Sequence, residues 1–169
     1  MISIRLLRIE DTAKVLAFET INRDWFEQWV PPRPREYFHH GNLLKINTAL
    51  VAEAAQGTAY MHLIFDADEQ IIGRINLIDI HQTAPRTGEL GYRIAQSATG
   101  QGIAVHAVKT VLDMAEGYGL QRLHAESLES NPASIAVLMK CGFTPRSAPA
   151  RKIIWKGEAV ALSPYLKDL

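Results

Sequence analysis

Apolar and polar positions change their period several times along this chain, and each change marks an element. Residues 2–8 alternate loosely through Ile2, Ile4 and Leu6, which predicts a first strand. Asp11-Thr12 then opens a helical spacing through Val15, Leu16, Phe18, Glu19 and Ile21, with Asp11 as the expected N-cap. The aromatic stretch Trp25-Phe26-Glu27-Gln28-Trp29-Val30 runs into Pro31-Pro32, which stops any helix there. A second helix is expected over about 34–55, with Phe38, Leu43, Leu44, Ile46, Leu50 and Val51 as its apolar residues. Gln56-Gly57 ends it.

From residue 58 the period falls to two. Tyr60 to Phe65 and Ile71 to Ile80 read as strands on either side of the polar turn Asp66-Ala67-Asp68-Glu69, so they form a hairpin. Glu89 to Ile94 is a further strand after the turn at Pro85-Arg86. Helical spacing returns over about 101–116, where Ala104, Val108, Val111, Leu112 and Ala115 make one apolar stripe ahead of Gly117 and Gly119. Arg122 to Leu128 reads as a strand, 132–141 as a short helix with Pro132 in its first turn, and 143–147 and about 152–163 as closing strands. No repeat, low-complexity run or linker interrupts the order. It predicts one domain over 1–169 with a mixed α/β (α+β) fold built on a mostly antiparallel sheet.

Composition narrows the function classes. The 169 residues suffice for one substantial core, and 47% apolar with 21% charged residues is ordinary for a globular protein. Lys plus Arg balances Asp plus Glu at 18 each, so no global field draws the chain to nucleic acid or a membrane surface. The single cysteine, Cys141, makes neither an internal disulfide nor a cysteine-rich zinc site, which fits a reducing cytoplasm. The start Met1-Ile2-Ser3-Ile4-Arg5 lacks a signal-peptide pattern, and no apolar run is long enough to span a bilayer. A cytoplasmic location is expected. The histidines show no paired spacing, so no metal site is expected.

Two segments carry chemistry. Thr99-Gly100-Gln101-Gly102-Ile103-Ala104 connects a strand to the opening of a helix. The first turn of a helix has unpaired N–H groups and partial positive charge, and glycines let an anion approach the backbone. Alone, the pattern is weak and favours a simple tight turn. Val105 stands where a dinucleotide fingerprint needs its third glycine, and no Gly-Lys-Ser/Thr follows. The second segment runs from Leu120-Gln121-Arg122-Leu123-His124-Ala125-Glu126 through Asn131-Pro132-Ala133-Ser134 to Lys140-Cys141-Gly142-Phe143.

With both segments in view, the chain resembles the GNAT acetyltransferases, and among them the branch of ribosomal-protein-alanine N-acetyltransferases. Gly88-Glu89-Leu90-Gly91-Tyr92-Arg93-Ile94 resembles the family's fourth strand, and Gly100 to Ala104 its pyrophosphate loop. Asn131-x-x-Ser134 and Lys140-x-Gly142-Phe143 resemble its later signature, while Leu7-Arg8-x-x-Asp11 and the Trp25/Trp29 stretch also suit that branch. One position departs. Aligned on Gly102 and Ala104, the family's usual Gln or Arg falls on Thr99, which removes one side-chain contact.

The resemblance implies a sheet of about seven strands, splayed between the fourth and fifth and flanked by about four helices. It implies acetyl-CoA as co-substrate, with the pantetheine arm pairing with the backbone of Tyr92, Arg93 and Ile94. The pyrophosphate would sit at Thr99, Gly100, Gln101, Gly102, Ile103 and Ala104, and the Asn131 amide would touch the arm. Asn131 also suits an N-cap for the helix at Pro132.

The acceptor would be a primary amine attacking directly in a ternary complex. A protein α-amine, with a pKa of about 8 against about 10.4 for lysine, needs less help to lose its proton. Glu89 is the candidate base, or otherwise an exposed or paired strand residue; Glu126 is the reserve. Ser134 is the candidate acid for the leaving thiolate, or otherwise an ordinary helix residue. A backbone N–H of the fourth strand would hold the oxyanion. Cys141 reads as core rather than nucleophile. Trp25, Phe26 and Trp29 read as core first, and as acceptor-pocket or dimer contacts second. Three functions stay open: acetylation of a protein N-terminus, acetylation of a small amine (amino acid, polyamine or antibiotic), and non-catalytic acyl-CoA sensing. A homodimer is compatible with each.

Overall fold

A computed structural model describes residues 2–169. Its elements are β1 (Ser3–Leu6), α1 (Thr12–Ile21), α2 (Arg23–Phe26), α3 (His40–Gln56), β2 (Tyr60–Phe65), β3 (Ile71–His81) and β4 (Thr87–Ile94). There follow α4 (Ile103–Gly117), β5 (Arg122–Leu128), α5 (Pro132–Lys140), β6 (Thr144–Pro145), β7 (Arg151–Trp155) and β8 (Glu158–Asp168). The strands form one sheet of eight in the order β1-β2-β3-β4-β5-β8-β6, with β7 pairing β8. Every pairing is antiparallel except β4 with β5.

The expected fold is the observed one, with local corrections. Residues 34–55 do not form one helix. A 3-10 turn at Arg35–Phe38 comes first, and extended His39 (φ −100, ψ 128) breaks it from α3. Residues 152–163 do not form one strand either. The chain reverses at Lys156-Gly157, both with positive φ (53 and 79), and β8 runs on to Asp168. Asp11 is not a side-chain cap for α1. Its carboxylate accepts from the Arg8 N–H at 2.9 Å and from the Arg5 guanidinium at 2.7 and 2.8 Å, closing the turn before the helix. That contact with Arg5 holds the Asp11 pKa below the usual carboxylate range, against its burial.

Alternation in the strands divides the core between two faces. Ile75, Leu77, Leu90 and Leu123 pack with Val108, Val111, Leu112 and Ala115 of α4, the stripe read from the sequence. On the other face Leu63 and Phe65 pack with Val15 of α1 and Leu43 of α3. That second face also contains a charge. Glu19, on α1, is 1% exposed and accepts from Arg74 of β3 and from Arg93 of β4, the latter at 2.9 Å. Arg74 also donates to the Tyr37 hydroxyl at 2.8 Å. One carboxylate thus ties α1 to two central strands. Glu19→Ala leaves Arg74 buried without its counter-charge, and the expected loss is about 3–5 kcal/mol, read as a lowered urea midpoint with an unchanged slope.

Candidate active site

The site begins where β4 and β5 part. They pair only over Thr87↔Arg122, Gly88↔Leu123 and Glu89↔His124. Beyond that, β5 stays with β8 as far as Leu128↔Leu162, while β4 stays with β3 as far as Gly73↔Ile94. A gap opens inside the sheet, lined on one side by the free backbone edge of β4. The Ala95 N–H donates to Ile72 O at 2.8 Å, which sets the phase of the ladder. In an antiparallel pair the alternate residues turn their backbone groups the other way, so Tyr92 and Ile94 face the gap. Arg93 does not, which corrects the expectation for its backbone: its N–H and C=O belong to the β3 side. Ile94 O already accepts from the Trp25 indole N–H at 3.2 Å. Trp25 therefore fastens α2 to the end of β4, and Phe26 beside it is buried against Phe18.

Past Ile94 the chain enters the anion loop. Gln96 N–H donates to Asn22 Oδ1 at 3.1 Å, the Thr99 hydroxyl to Gln96 O at 2.8 Å, and Gln101 Nε2 to Ser97 O at 3.0 Å. The side chains of Thr99 and Gln101 thus stiffen the loop from within. Gly100 and Gly102 have φ of +74 and +76, and a Cβ built on either would meet nothing within 4 Å. Glycine is required there by backbone conformation, and the space in front of it is open. His106 N–H is the first to bond into α4, to Gly102 O at 3.1 Å, so the amides of Ile103, Ala104 and Val105 have no intrahelical partner. The helix therefore opens at Ile103, two residues later than the spacing suggested. Open space, uncommitted amides and the positive end of a 15-residue helix fit a pyrophosphate.

The candidate chemical groups flank the gap from opposite faces. Tyr92 points toward α5, where its hydroxyl lies 3.1 Å from Ser134 Oγ. Burial pushes the Tyr92 pKa up to about 12, so this pair stays protonated at neutral pH. Sequence reading assigned Tyr92 only a backbone contact; its side chain was missed because nothing local shows that it meets Ser134. Asn131 Oδ1 accepts from the Ser134 N–H at 3.1 Å, as an N-cap does. Cys141 is buried core, with its thiol pKa raised by burial.

Glu89 faces the other way, with Glu126 on the neighbouring strand. Burial raises the Glu89 pKa, and the charges of Glu126 and Asp79 add to it, while Arg151 opposes. Glu126 itself is held by Arg151, whose Nε lies 3.1 Å from both of its oxygens. Of the two carboxylates, Glu89 is therefore the freer to take a proton. Arg93 shares this face, and sequence reading missed its side chain too. Its pKa is lowered, first by burial and then by Arg33 and Arg74, with Glu19 opposing. A hollow of about 430 Å³, lined by Pro85, Leu120, Arg122 and Asp168, lies at the opposite end of the sheet, away from these groups.

A gap between β4 and β5 leading to a glycine loop at a helix start is the geometry the sequence resemblance called for, and the comparisons give the family. The family model described as acetyltransferase (GNAT) domain matches residues 2–144, so the chain belongs to the GNAT acetyltransferases. It is 29% identical over 165 residues to the probable N-acetyltransferase YjcK of Bacillus subtilis (strain 168), covering 94% of this chain and 91% of that one. It shares its fold with the ribosomal-protein-S5-alanine acetyltransferase of Vibrio fischeri, at TM-score 0.93 and 23% identity over 99% of this chain and 92% of that one. The spermidine N-acetyltransferase of Vibrio cholerae, solved with CoA and spermine, matches at TM-score 0.82 and 18% identity over 99% and 95% of the two chains. No helix among the described residues is long and apolar enough to cross a membrane.

The Glu89 environment predicts a pH profile. A base with a raised pKa is lost as pH falls through that raised value, so with Glu89 as base the acid limb of kcat should lie above the ordinary glutamate range. Glu89→Gln should remove this limb and lower kcat about 100-fold or more. Arg151→Gln removes the charge that opposes the shift and leaves Glu126 uncompensated, so the limb should move to higher pH. An unmoved limb in both variants assigns it to another group.

Proposed function

We propose that this enzyme transfers the acetyl group of acetyl-CoA to the N-terminal α-amine of a protein. The observation that carries this reading is the division of the gap. A free carboxylate, Glu89, stands on the α1 side and a hydroxyl pair, Tyr92 and Ser134, on the α5 side. Acetyl-CoA supplies the acyl thioester. Amides from Gly100 to Ala104 hold its pyrophosphate, the loop being kept in shape by Thr99 and Gln101. The backbone edge of Tyr92 and Ile94 aligns the pantetheine arm, with the Asn131 amide at its side.

Glu89, through a water, takes the proton from the incoming amine. A Tyr92 or Leu90 N–H turned into the gap serves the developing oxyanion. Ser134 Oγ, backed by the Tyr92 hydroxyl, returns a proton to the leaving sulfur. An α-amine suits a single carboxylate base because it is already partly neutral near pH 7. The likeness to a ribosomal-protein acetyltransferase supports the protein acceptor. The likeness to a spermidine acetyltransferase supports a second reading, a small amine.

Two experiments test this. CoA affinity by isothermal titration should fall more than about 10-fold in Gly102→Glu, which puts bulk and negative charge on the anion site. Normal affinity in that variant removes the loop assignment. Thiol release with a panel of peptides and small amines should show the highest kcat/KM on peptides with a free α-amine. Turnover of small amines alone decides for the second reading, and CoA binding without turnover of any acceptor for a sensor.

A further inference from the structure

Four arginines gather on the α1 face beyond Glu89, and their counter-charges are too few. Arg23 is paired with Glu27 at 2.9 Å. Arg74 and Arg93 share the single carboxylate of Glu19. Among the described residues Arg33 has no ion-pair partner, and its guanidinium lies 4.9 Å from the centre of the Tyr37 ring. Arg33 and Arg93 line one narrow crevice together with Glu19, Phe26 and Phe38. Arg93 spends one nitrogen on Glu19 and lies 4.9 Å from the centre of the Phe26 ring. Its other donors are uncommitted. Arg23 and Glu27 line it too, so three arginines face two glutamates across an aromatic wall, with one positive charge in excess, and the crevice has room inside for about one water.

This crevice lies along the strand that carries the base. Glu89, Gly91 and Arg93 alternate onto one face of β4. Gly91 has no side chain, and the Asn76 amide of β3 lies over it, 3.3 Å from where a Cβ would stand, so an extended acceptor would run across that amide between Glu89 and Arg93. Four residues of strand separate those two by about 13 Å. An extended peptide advances about 3.3–3.6 Å per residue. An amine at Glu89 would therefore bring the side chains of the fourth and fifth residues of the acceptor toward Arg33 and Arg93. The α-carboxylate of a free amino acid sits on the same residue as its amine and cannot span that distance.

We infer that the mouth of the Arg33–Arg93 crevice is an acceptor subsite for a carboxylate side chain on the fourth or fifth residue of a peptide whose N-terminal amine lies at Glu89. This rests on the protein-acceptor reading above and adds a sequence preference to it. Arg33 supplies the uncompensated charge, and Arg93 supplies a fixed one held in place by Glu19.

The test is kcat/KM for a matched set of peptides with Asp, Asn or Lys as fourth residue, beside free alanine and alaninamide. The wild-type enzyme should favour the Asp peptide over the Asn peptide by about 10-fold, as for one charge-assisted contact, and the Lys peptide should be poorest. Arg33→Gln should erase the difference through KM, Arg33→Lys should restore part of it, and Arg33→Glu should invert it toward the Lys peptide. Loss of folding does not invert a preference. Peptides acetylated without regard to charge, or an Asp preference that survives in Arg33→Glu, overturn the subsite and leave the protein-acceptor reading standing. Turnover confined to alanine or alaninamide overturns both.

Discussion

The structure depends on a failure of strand pairing. A strand inside a sheet ordinarily gives its backbone groups to both neighbours, and an unpaired N–H or C=O in that position costs stability. Here β4 and β5 share three residue pairs and then separate, because β5 follows β8 while β4 follows β3. What remains is a row of backbone groups at Tyr92 and Ile94 turned into a gap inside the sheet. Trp25 takes one of them, the Ile94 carbonyl. The remainder form a preorganised edge to which an extended ligand can add itself as a strand.

Holding that gap open requires that β4 be fixed from its other side. The buried Glu19 does this. It binds Arg74 on β3 and Arg93 on β4 from a helix that crosses both strands. Buried ion pairs add little net stability over well-packed apolar groups, but removing one partner is expensive. The arrangement therefore suits geometry more than stability. It sets the height of α1 above the sheet, and with it the depth of the crevice beside Arg93. Gln96 is fastened to the end of the same helix through Asn22, so the anion loop and the crevice share one support.

Much of this was legible in the sequence, and the exceptions have physical reasons. Tyr60 to Phe65 and Arg122 to Leu128 were readable to the residue, because period-two alternation between two core faces is a local signal. The reversal at Lys156-Gly157 was not. Apolar Ile153, Ile154 and Trp155 on one side and Val160, Ala161 and Leu162 on the other read as continuous, and Lys156 adopts a left-handed φ that lysine does not announce. At the site, Glu89 and the loop were reached through the resemblance of their motifs to a family. The Glu19–Arg93 pair spans 74 positions, and Tyr92–Ser134 spans 42. Each of these residues reads alone as an ordinary polar position. Only the fold brings them together.

The same geometry separates the two halves of the proposed proton transfer. Neighbouring residues on a strand point to opposite faces, so Glu89 and Tyr92, three positions apart on β4, stand on different sides of the sheet. In an intact sheet such groups could not serve one reaction, since the backbone would lie between them. The gap removes that barrier beyond Glu89 and lets one bond system be reached from both faces. An amine can then enter from the α1 side, where a carboxylate with a raised pKa waits. In the proposed reaction the sulfur would depart toward the α5 side, where two hydroxyls remain protonated. That separation is why the parting of two strands, more than any single side chain, decides what this chain can do.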